Sequence, residues 1–283
     1  MKSYNKMTNG VKIMKTFLRV LWRGLLVILC GVFLGVFIFA AYQLYHTFHG
    51  YRQAEKEYDN LSAQYVSTPT PEASQTPTPT PEATQAPTPT PEVASGPIQV
   101  DFAALQARNN EVIGWIYSPN TKINYPVVKG VDNDFYLSHT FDGTANANGS
   151  IFMDANCETD LSAQHNTILY GHHMNDGSMF ASITDYRQTG YLEAHPVLYY
   201  YTPNQNYLLE VFCCFVTGPD SDVYSFNFSS NEEFERYLES WRSRSNFDTD
   251  VQVSGDDHIM TLSTCTYEYE DARYVVMCKI VPM

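Results

Sequence analysis

The segment Thr261-Leu262-Ser263-Thr264-Cys265 is a strand-like run that ends in a thiol. Eight residues later, Arg273 begins an apolar run over residues 274–277, which is typical of a second strand. Upstream, residues 166–170 form another such run, which stops at Gly171-His172-His173. The pattern therefore predicts three strands that carry a thiol, a guanidinium and an imidazole at their ends.

These three side chains are the ones that a cysteine acyl-transfer enzyme needs. A cysteine becomes a strong nucleophile when it loses its proton, and an imidazole can take that proton and return it to a leaving amine. Acyl transfer also builds negative charge on the carbonyl oxygen, which a fixed arginine can stabilise where water is excluded. The sequence therefore predicts that Cys265, one histidine of the 172–173 pair and Arg273 share an active site.

Each of these residues also has an ordinary structural interpretation. Cys265 could be a buried strand cysteine, and Arg273 could form a surface ion pair with the acidic residues that precede it, which would contribute little to stability. Neighbouring residues in an extended segment point in opposite directions, so only one of His172 and His173 can face the thiol. The chemistry alone does not choose between them.

Side-chain alternation groups the residues next to the thiol. Thr261 and Ser263 share the face of Cys265, whereas Leu262 and Thr264 lie on the opposite, mostly apolar face. The polar face is expected to line a groove. Ser263 could there donate a hydrogen bond to a substrate or to an oxyanion.

The order of these motifs resembles the sortase family. The run at residues 261–265 followed by a strand-initiating Arg273 is similar to the sortase signature, and the run Tyr-Gly-His-His-Met at residues 170–174 is similar to the histidine motif of class B sortases. The resemblance covers roughly residues 98–283, and further similar segments lie at residues 113–116, 123–128 and 132–137.

The resemblance implies a role for individual residues. Cys265 would be the nucleophile, Arg273 would hold the substrate and the developing oxyanion, and His172 would be the catalytic histidine because it directly follows the glycine. The residues implied to contact the substrate are Ser263, Thr264 and Tyr224. A packed loop aromatic is an equal interpretation of Tyr224.

A sortase-like enzyme would be a cysteine transpeptidase that cleaves a C-terminal sorting signal of exported proteins after a threonine. An amine of peptidoglycan or of a pilin would resolve the thioacyl intermediate. This chemistry requires no metal ion and no organic cofactor. Two alternatives stay open: a hydrolytic cysteine protease that uses water as the acceptor, and a non-catalytic, wall-associated scaffold on a proline stalk.

The N-terminal part of the chain predicts one membrane span. Residues 24–42 are 19 uncharged and mostly apolar residues, which at about 1.5 Å per residue nearly match a hydrocarbon core of about 30 Å. Basic residues and no acidic ones precede them, so the positive-inside rule places the N-terminus in the cytoplasm. A cleaved signal peptide is the competing interpretation.

The chain after the predicted span is strongly acidic. It contains all 31 Asp and Glu residues but only 11 of the 17 Lys and Arg residues, which leaves a net charge near −20. Such a surface would repel the phosphate backbone, so no nucleic-acid partner is expected. The predicted location is the cell membrane, with a single pass and an extracellular catalytic domain.

Composition divides the chain into five segments. Residues 1–23 are a basic cytoplasmic segment, and residues 24–42 are the predicted span. Residues 43–66 predict an amphipathic juxtamembrane helix that packs on lipid headgroups, packs on a partner helix or is only marginally stable. Residues 67–97 hold nine of the 15 prolines and predict an extended linker, and residues 98–283 form the catalytic domain.

The last segment predicts a mainly β fold with few helices. Short runs separated by turn signals favour a barrel or a sandwich, and the resemblance narrows this to the sortase β-barrel with peripheral helices. Residues 234–241 predict a helix capped by Ser230 or Asn231, and Asp101 can cap a shorter one. The four other cysteines of this segment are expected to be buried small hydrophobes, with one disulfide among them as the alternative. The predicted strands are residues 112–117, 124–128, 150–153, 167–170, 197–201, 207–216, 258–263 and 274–281.

Overall fold

The computed structural model describes residues 2–68 and 96–283, so most of the predicted linker at 67–97 lies outside the described residues. The chain divides into two compact units, Met1–Arg52 and Gln53–Met283. The helices are α1 (Lys2–Tyr65), α2 (Phe102–Arg108), α3 (Tyr191–Ala194) and α4 (Asn231–Arg242). The strands are β1 (Val66–Ser67), β2 (Gln99–Val100), β3 (Val112–Tyr117), β4 (Asn124–Val128), β5 (Ile151–Met153), β6 (Asn166–Tyr170), β7 (Val197–Tyr201), β8 (Asn206–Thr217), β9 (Ile259–Cys265) and β10 (Arg273–Pro282).

Strands β3 to β10 close into one barrel in the order β10-β8-β7-β3-β4-β5-β6-β9. Neighbours are antiparallel except for the β4–β5 and β6–β9 pairs, which are parallel. A barrel of about eight strands is narrow enough for side chains to fill its interior. The predicted mainly β barrel with peripheral helices is confirmed.

The buried aromatic and aliphatic side chains of the strands explain why the barrel closes. Trp115 is fully buried, and its indole nitrogen donates to Asn124 Oδ1 at 2.8 Å across the β3–β4 pair. On β9 and β10, Leu262 pairs with Val276, and both are fully buried. Burial of this kind contributes roughly 1.5–3 kcal/mol for each large apolar side chain.

Helix α4 covers the barrel beside β8. Its N-terminus is capped by the Ser230 side chain, which accepts from the Glu233 amide at 3.3 Å, as the sequence predicts. Phe234, Leu238 and Trp241 point inward, and the Trp241 ring stacks on Phe215 with centroids 4.6 Å apart. At the start of the domain, Asp101 Oδ1 caps α2 by accepting from the Ala104 amide at 3.0 Å.

The first unit contains the apolar part of α1. Within the described residues, one helical stretch, Leu21–Tyr65, is long and apolar enough to cross a membrane. The apolar side chains of residues 21–45 within this stretch are exposed, as expected for residues that need a non-aqueous environment. The division of the chain at residues 23, 42, 66 and 97 stays a prediction.

The C-terminal end of α1 belongs to the second unit, together with the barrel. Tyr58, Leu61 and Tyr65 lie on one face and are between 1% and 8% exposed. Directly after α1, β1 pairs with β2, so that Val66 lies opposite Val100. The amphipathic pattern of residues 43–66 does not identify the surface that covers its apolar face. For these three residues, that surface belongs to the second unit, which contains the barrel.

Candidate active site

Cys265 and Arg273 are brought together by the pairing of β9 with β10. Cys265 is the last residue of β9, Arg273 is the first residue of β10, and the two are directly opposite in the antiparallel register. Side chains of directly opposed residues stand on the same face of a sheet, with their Cβ atoms about 5 Å apart. The turn between the strands therefore places the thiol and the guanidinium side by side.

The histidine pair reaches the same rim of the barrel through β6. This strand runs parallel to β9 with Tyr170 opposite Ser263, and the Gly171 amide donates to the Ser263 carbonyl at 3.1 Å. Gly171 packs tightly, since an added Cβ would lie 2.8 Å from the ring of Phe180. A glycine at this position lets the chain leave β6 close to the barrel wall, and His172 follows beside the end of β9.

The two histidines have different surroundings. His172 lines the cavity that contains Cys265, and its Nε2 lies 2.7 Å from the Leu137 carbonyl oxygen. His173 Nδ1 instead lies 2.9 Å from the main-chain carbonyl oxygen of Cys265, and its ring packs near Tyr267. Of the two imidazoles, only that of His172 lines the cavity with the thiol.

The Leu137 carbonyl determines which nitrogen of the neutral His172 ring carries the proton. A carbonyl oxygen only accepts hydrogen bonds, so the 2.7 Å contact requires Nε2 of His172 to carry the proton. In the neutral ring, Nδ1 is then the nitrogen that can accept a proton. The arrangement therefore leaves Nδ1 as the basic atom of this imidazole.

Arg273 is held by main-chain carbonyls rather than by the acidic turn that precedes it. Its Nη1 donates to the carbonyl of Asp271 at 2.9 Å and to that of Ala272 at 3.2 Å. The nearby carboxylate of Glu268 pairs with Arg187 instead. Main-chain carbonyls carry no net charge, so the guanidinium keeps its positive charge available to the cavity.

The cavity at this rim has a volume of about 260 Å³. The sequence-predicted residues that line it are Cys265, His172, Arg273, Ser263, Thr264 and Tyr224. Its other lining residues include Asn133, Leu137, Phe152, Tyr170 and Pro219. Asn133 and Leu137 fall within the segment at 132–137 that resembles sortases, and Tyr170 begins the similar run at 170–174, whereas Phe152 carried no signal beyond its strand.

Tyr224 joins the cavity wall through a hydrogen bond. Its hydroxyl group lies 2.9 Å from Ser263 Oγ, and burial raises the pKa of the phenol, so it stays protonated at neutral pH. Its ring also lies near that of Tyr170, whose hydroxyl donates to Asp154 at 2.9 Å. Tyr224 is thus both a packed aromatic and a cavity residue.

The alternation of β9 breaks down at its end. Thr261 is fully buried and donates to Asn166 Oδ1 at 2.7 Å, so its predicted place in the groove is wrong. Strand alternation places Thr264 on the core side, but it lines the cavity, as a residue predicted to contact the substrate should, because the cavity surrounds the strand terminus. The hydroxyl oxygen of Thr264 is buried and has no hydrogen-bond partner among the described residues.

A larger, open groove of about 910 Å³ lies on the other side of Pro219, beside α4. It contains none of the predicted catalytic residues and mixes acidic side chains with Arg236 and Arg244.

In the part of the chain that the structure describes, no group of three or more His, Cys, Asp or Glu side chains could hold a metal ion.

The six cysteines differ in accessibility, and none forms a disulfide. Burial raises the pKa of the Cys157 and Cys214 thiols to about 11 and that of Cys213 to about 12. Burial also raises the pKa of Cys278, which is fully buried. These four are protonated at neutral pH, whereas Cys265 is partly exposed beside an imidazole.

Selective alkylation is therefore expected. In a Cys30→Ala background at pH 7.5, iodoacetamide should modify Cys265, whereas the four buried thiols should react only after unfolding. Peptide mapping by mass spectrometry measures the site of modification. Equal labelling of Cys157 and Cys265 in the folded protein would contradict this picture of the site.

Comparison with known proteins assigns the family. The sortase domain family matches residues 116–281. Sortase B of Listeria monocytogenes is 33% identical over 252 residues, which cover 88% of this chain and 94% of that protein. Sortase B of Staphylococcus aureus is 34% identical over 186 residues, which cover 65% of this chain and 76% of that protein.

Solved structures agree with the sequence comparison. The Staphylococcus aureus sortase B–substrate complex superposes with a TM-score of 0.61 at 35% identity, covering 64% of this chain and 85% of that one. Sortase B of Bacillus anthracis in complex with AAEK1 superposes with a TM-score of 0.65 at 34% identity, covering 84% of this chain and all of that one. The chain therefore belongs to the sortase family, as a cysteine transpeptidase similar to sortase B.

Proposed function

We propose that this protein is a membrane-anchored transpeptidase that cleaves the sorting signal of exported proteins after a threonine and joins them to an amine of the cell wall or of a pilin. The observation that carries the proposal is the common cavity of Cys265, His172 and Arg273. A nucleophile, a base and a fixed cation around one small cavity are the parts that acyl transfer requires.

In the first half-reaction, His172 Nδ1 takes the proton of the Cys265 thiol, and the sulfur attacks the carbonyl carbon of the threonine. Arg273 stabilises the resulting oxyanion. The tetrahedral intermediate then collapses as the bond to the next residue breaks, and His172 returns the proton to the departing amide nitrogen. The products are a thioester on Cys265 and a released C-terminal peptide.

In the second half-reaction, an amine attacks the thioester carbon and gives its proton to His172. The new amide bond forms as the carbon–sulfur bond breaks, and His172 returns the proton to the departing sulfur, which regenerates the Cys265 thiol. A sortase B structure complexed with triglycine supports an amine of this kind as the acceptor. Water in place of the amine would make the same chain a hydrolase.

Three further residues are proposed to bind the sorting signal. Ser263 and Tyr224 share a hydrogen bond at the cavity wall, which holds both hydroxyl groups in a defined position. The buried hydroxyl oxygen of Thr264, without a partner among the described residues, is suited to a donor of the bound peptide. The solved complex of Staphylococcus aureus sortase B with a substrate supports substrate binding in such an enzyme.

The proposed location is the cell membrane, with the N-terminus in the cytoplasm and the barrel outside. The candidate span in α1 and the six basic residues that precede residue 24 support this orientation. A protease added to intact cells should digest the part after the span and spare the part before it.

Product analysis tests the function. A peptide library with one fixed threonine is first screened for cleavage after that residue, and its best member, hereafter the sorting peptide, is incubated with enzyme and triglycine. We expect an amide-linked product that contains triglycine, and slower formation of the free acid. Formation of the free acid alone, at a rate independent of triglycine, would assign a hydrolase.

Replacement of Arg273 tests the oxyanion role. We expect Arg273→Ala to lower kcat/KM for the sorting peptide by about 10²- to 10³-fold, because a preorganised donor to the oxyanion is lost. Arg244→Ala, which removes an arginine from the larger groove, is the matched control and should stay within about twofold of the parent. Equal effects of the two substitutions, measured by initial rates, would rule out this role.

A further inference from the structure

The C-terminal end of α1 contacts residues 149–150, which pack against the carbonyl that orients His172. Tyr58 is only 4% exposed, and its hydroxyl group donates to the Gly149 carbonyl at 2.7 Å and lies 3.3 Å from Ser150 Oγ. Its ring meets Tyr125 edge to face, with centroids 5.2 Å apart. Both the ring and the hydroxyl of Tyr58 are therefore fixed within the second unit.

Gly149 in turn lies directly against the Leu137 carbonyl. Its φ of +57° is in the left-handed region, and an added Cβ would lie 2.8 Å from Leu137 O and 2.6 Å from Tyr136 O. The next residue, Ser150, donates its amide to the Tyr136 carbonyl at 2.9 Å. The backbone at residues 149–150 thus sets the position of the backbone at residues 136–137.

The Leu137 carbonyl is the acceptor that fixes His172. It receives Nε2–H at 2.7 Å, which sets the tautomer and the tilt of the ring and leaves Nδ1 for proton transfer. An unbroken series of contacts thus runs from Tyr58 through Gly149 and Leu137 to His172. Displacement of the Leu137 carbonyl by a few tenths of an ångström would move the imidazole out of alignment with the thiol.

We propose that Tyr58 is a positioning residue for His172, acting through the Gly149 and Leu137 carbonyls, so that this one side chain of α1 couples the C-terminal end of the helix to the proposed active site. The proposal rests on the proposed role of His172 as acid and base. The competing role is purely structural. A buried tyrosine hydroxyl needs a hydrogen-bond partner in any folded protein, so the Tyr58 bond would then stabilise the fold without positioning His172.

Tyr58→Phe in the full-length protein separates the two roles, because it removes the hydroxyl and keeps the ring. We expect kcat for the sorting peptide to fall about fivefold to twentyfold while KM changes less than twofold, since binding does not use His172. Tyr65→Phe, on the same buried face of α1, is the matched control and should leave kcat unchanged. A purely structural role would lower the melting temperature of Tyr58→Phe and leave kcat as it is.

A double-mutant cycle gives the sharper readout. The rate of iodoacetamide alkylation of Cys265 at pH 7 is measured in the parent, Tyr58→Phe, His172→Ala and the double variant. We expect Tyr58→Phe to slow alkylation in the parent and to have no further effect in the His172→Ala background, because its influence passes through that ring. Equal slowing in both backgrounds, or an unchanged kcat in Tyr58→Phe, would overturn the proposal.

The cycle also separates this proposal from the proposed function. If His172→Ala keeps full turnover of the sorting peptide, the acid–base role of His172 fails, and the positioning role fails with it. If His172→Ala is inactive while Tyr58→Phe matches the parent in both kcat and alkylation rate, only the positioning role fails.

Discussion

Cys265→Ala is expected to show no measurable turnover of the sorting peptide, a loss of at least about 10⁴-fold in kcat, because it removes the thiol on which the proposed thioester forms. The four other thiols of the second unit are buried and protonated and cannot take over the attack. The measurement is the release of the C-terminal peptide over several hours. The melting temperature should change little, since Cys265 lies partly exposed at the end of a strand.

The matched control for this variant is Cys30→Ala. Cys30 is an exposed thiol within the candidate span, so its replacement should leave turnover within about twofold of the parent. Residual turnover in Cys265→Ala at more than a few per cent of the parent rate would be incompatible with a thioester mechanism.

His172→Ala is expected to lower kcat by about 10²- to 10⁴-fold, the usual contribution of a positioned acid–base group. His173→Ala is the matched control, because it removes the adjacent imidazole, whose Nδ1 contacts the main-chain carbonyl of Cys265. We expect its kcat to fall by less than about tenfold, the effect of one lost neutral hydrogen bond.

The comparison of these two variants has three informative outcomes. A large loss in His172→Ala alone supports the assignment. A large loss in His173→Ala alone would move the acid–base role to His173 and would contradict the cavity geometry. Similar small losses in both would show that neither imidazole transfers the proton.

Periodicity predicted the barrel strands well because most of them are half or fully buried. Strands β3, β4 and β7 begin and end where the sequence predicts, and the Ser230 cap of α4 is confirmed by its hydrogen bond. The choice of a barrel over a sandwich needed the resemblance to sortases, and the order of the strands around the barrel was not predicted. The parallel pairing of β6 with β9 joins segments roughly ninety residues apart in sequence, and no local pattern encodes it.

The packing of residues 53–65 could not be predicted from the sequence, for a different reason. An apolar stripe such as Tyr58, Leu61 and Tyr65 indicates that a helix face is covered, but it does not indicate by what. The covering surface includes the Ser150 hydroxyl and the main-chain carbonyl of Gly149, and a main-chain carbonyl has no side-chain signature.

The candidate site was predictable where side chains carry the chemistry. The thiol, the histidine pair and Arg273 were evident from their places at strand ends, and all three types line one cavity. The choice of His172 over His173 depended on the resemblance, because the acceptor that orients His172 is the Leu137 carbonyl. The departure of Thr261 from the groove followed from its bond to Asn166 on the neighbouring strand, which strand alternation ignores.

Intact-mass spectrometry of the enzyme incubated with the sorting peptide in the absence of amine tests the central claim most directly. After an acid quench, we expect a mass increase equal to the N-terminal fragment ending in threonine, mapped to Cys265 and discharged within seconds to minutes when triglycine is added. Turnover of the peptide without this adduct, or an adduct on any residue other than Cys265, would contradict the account.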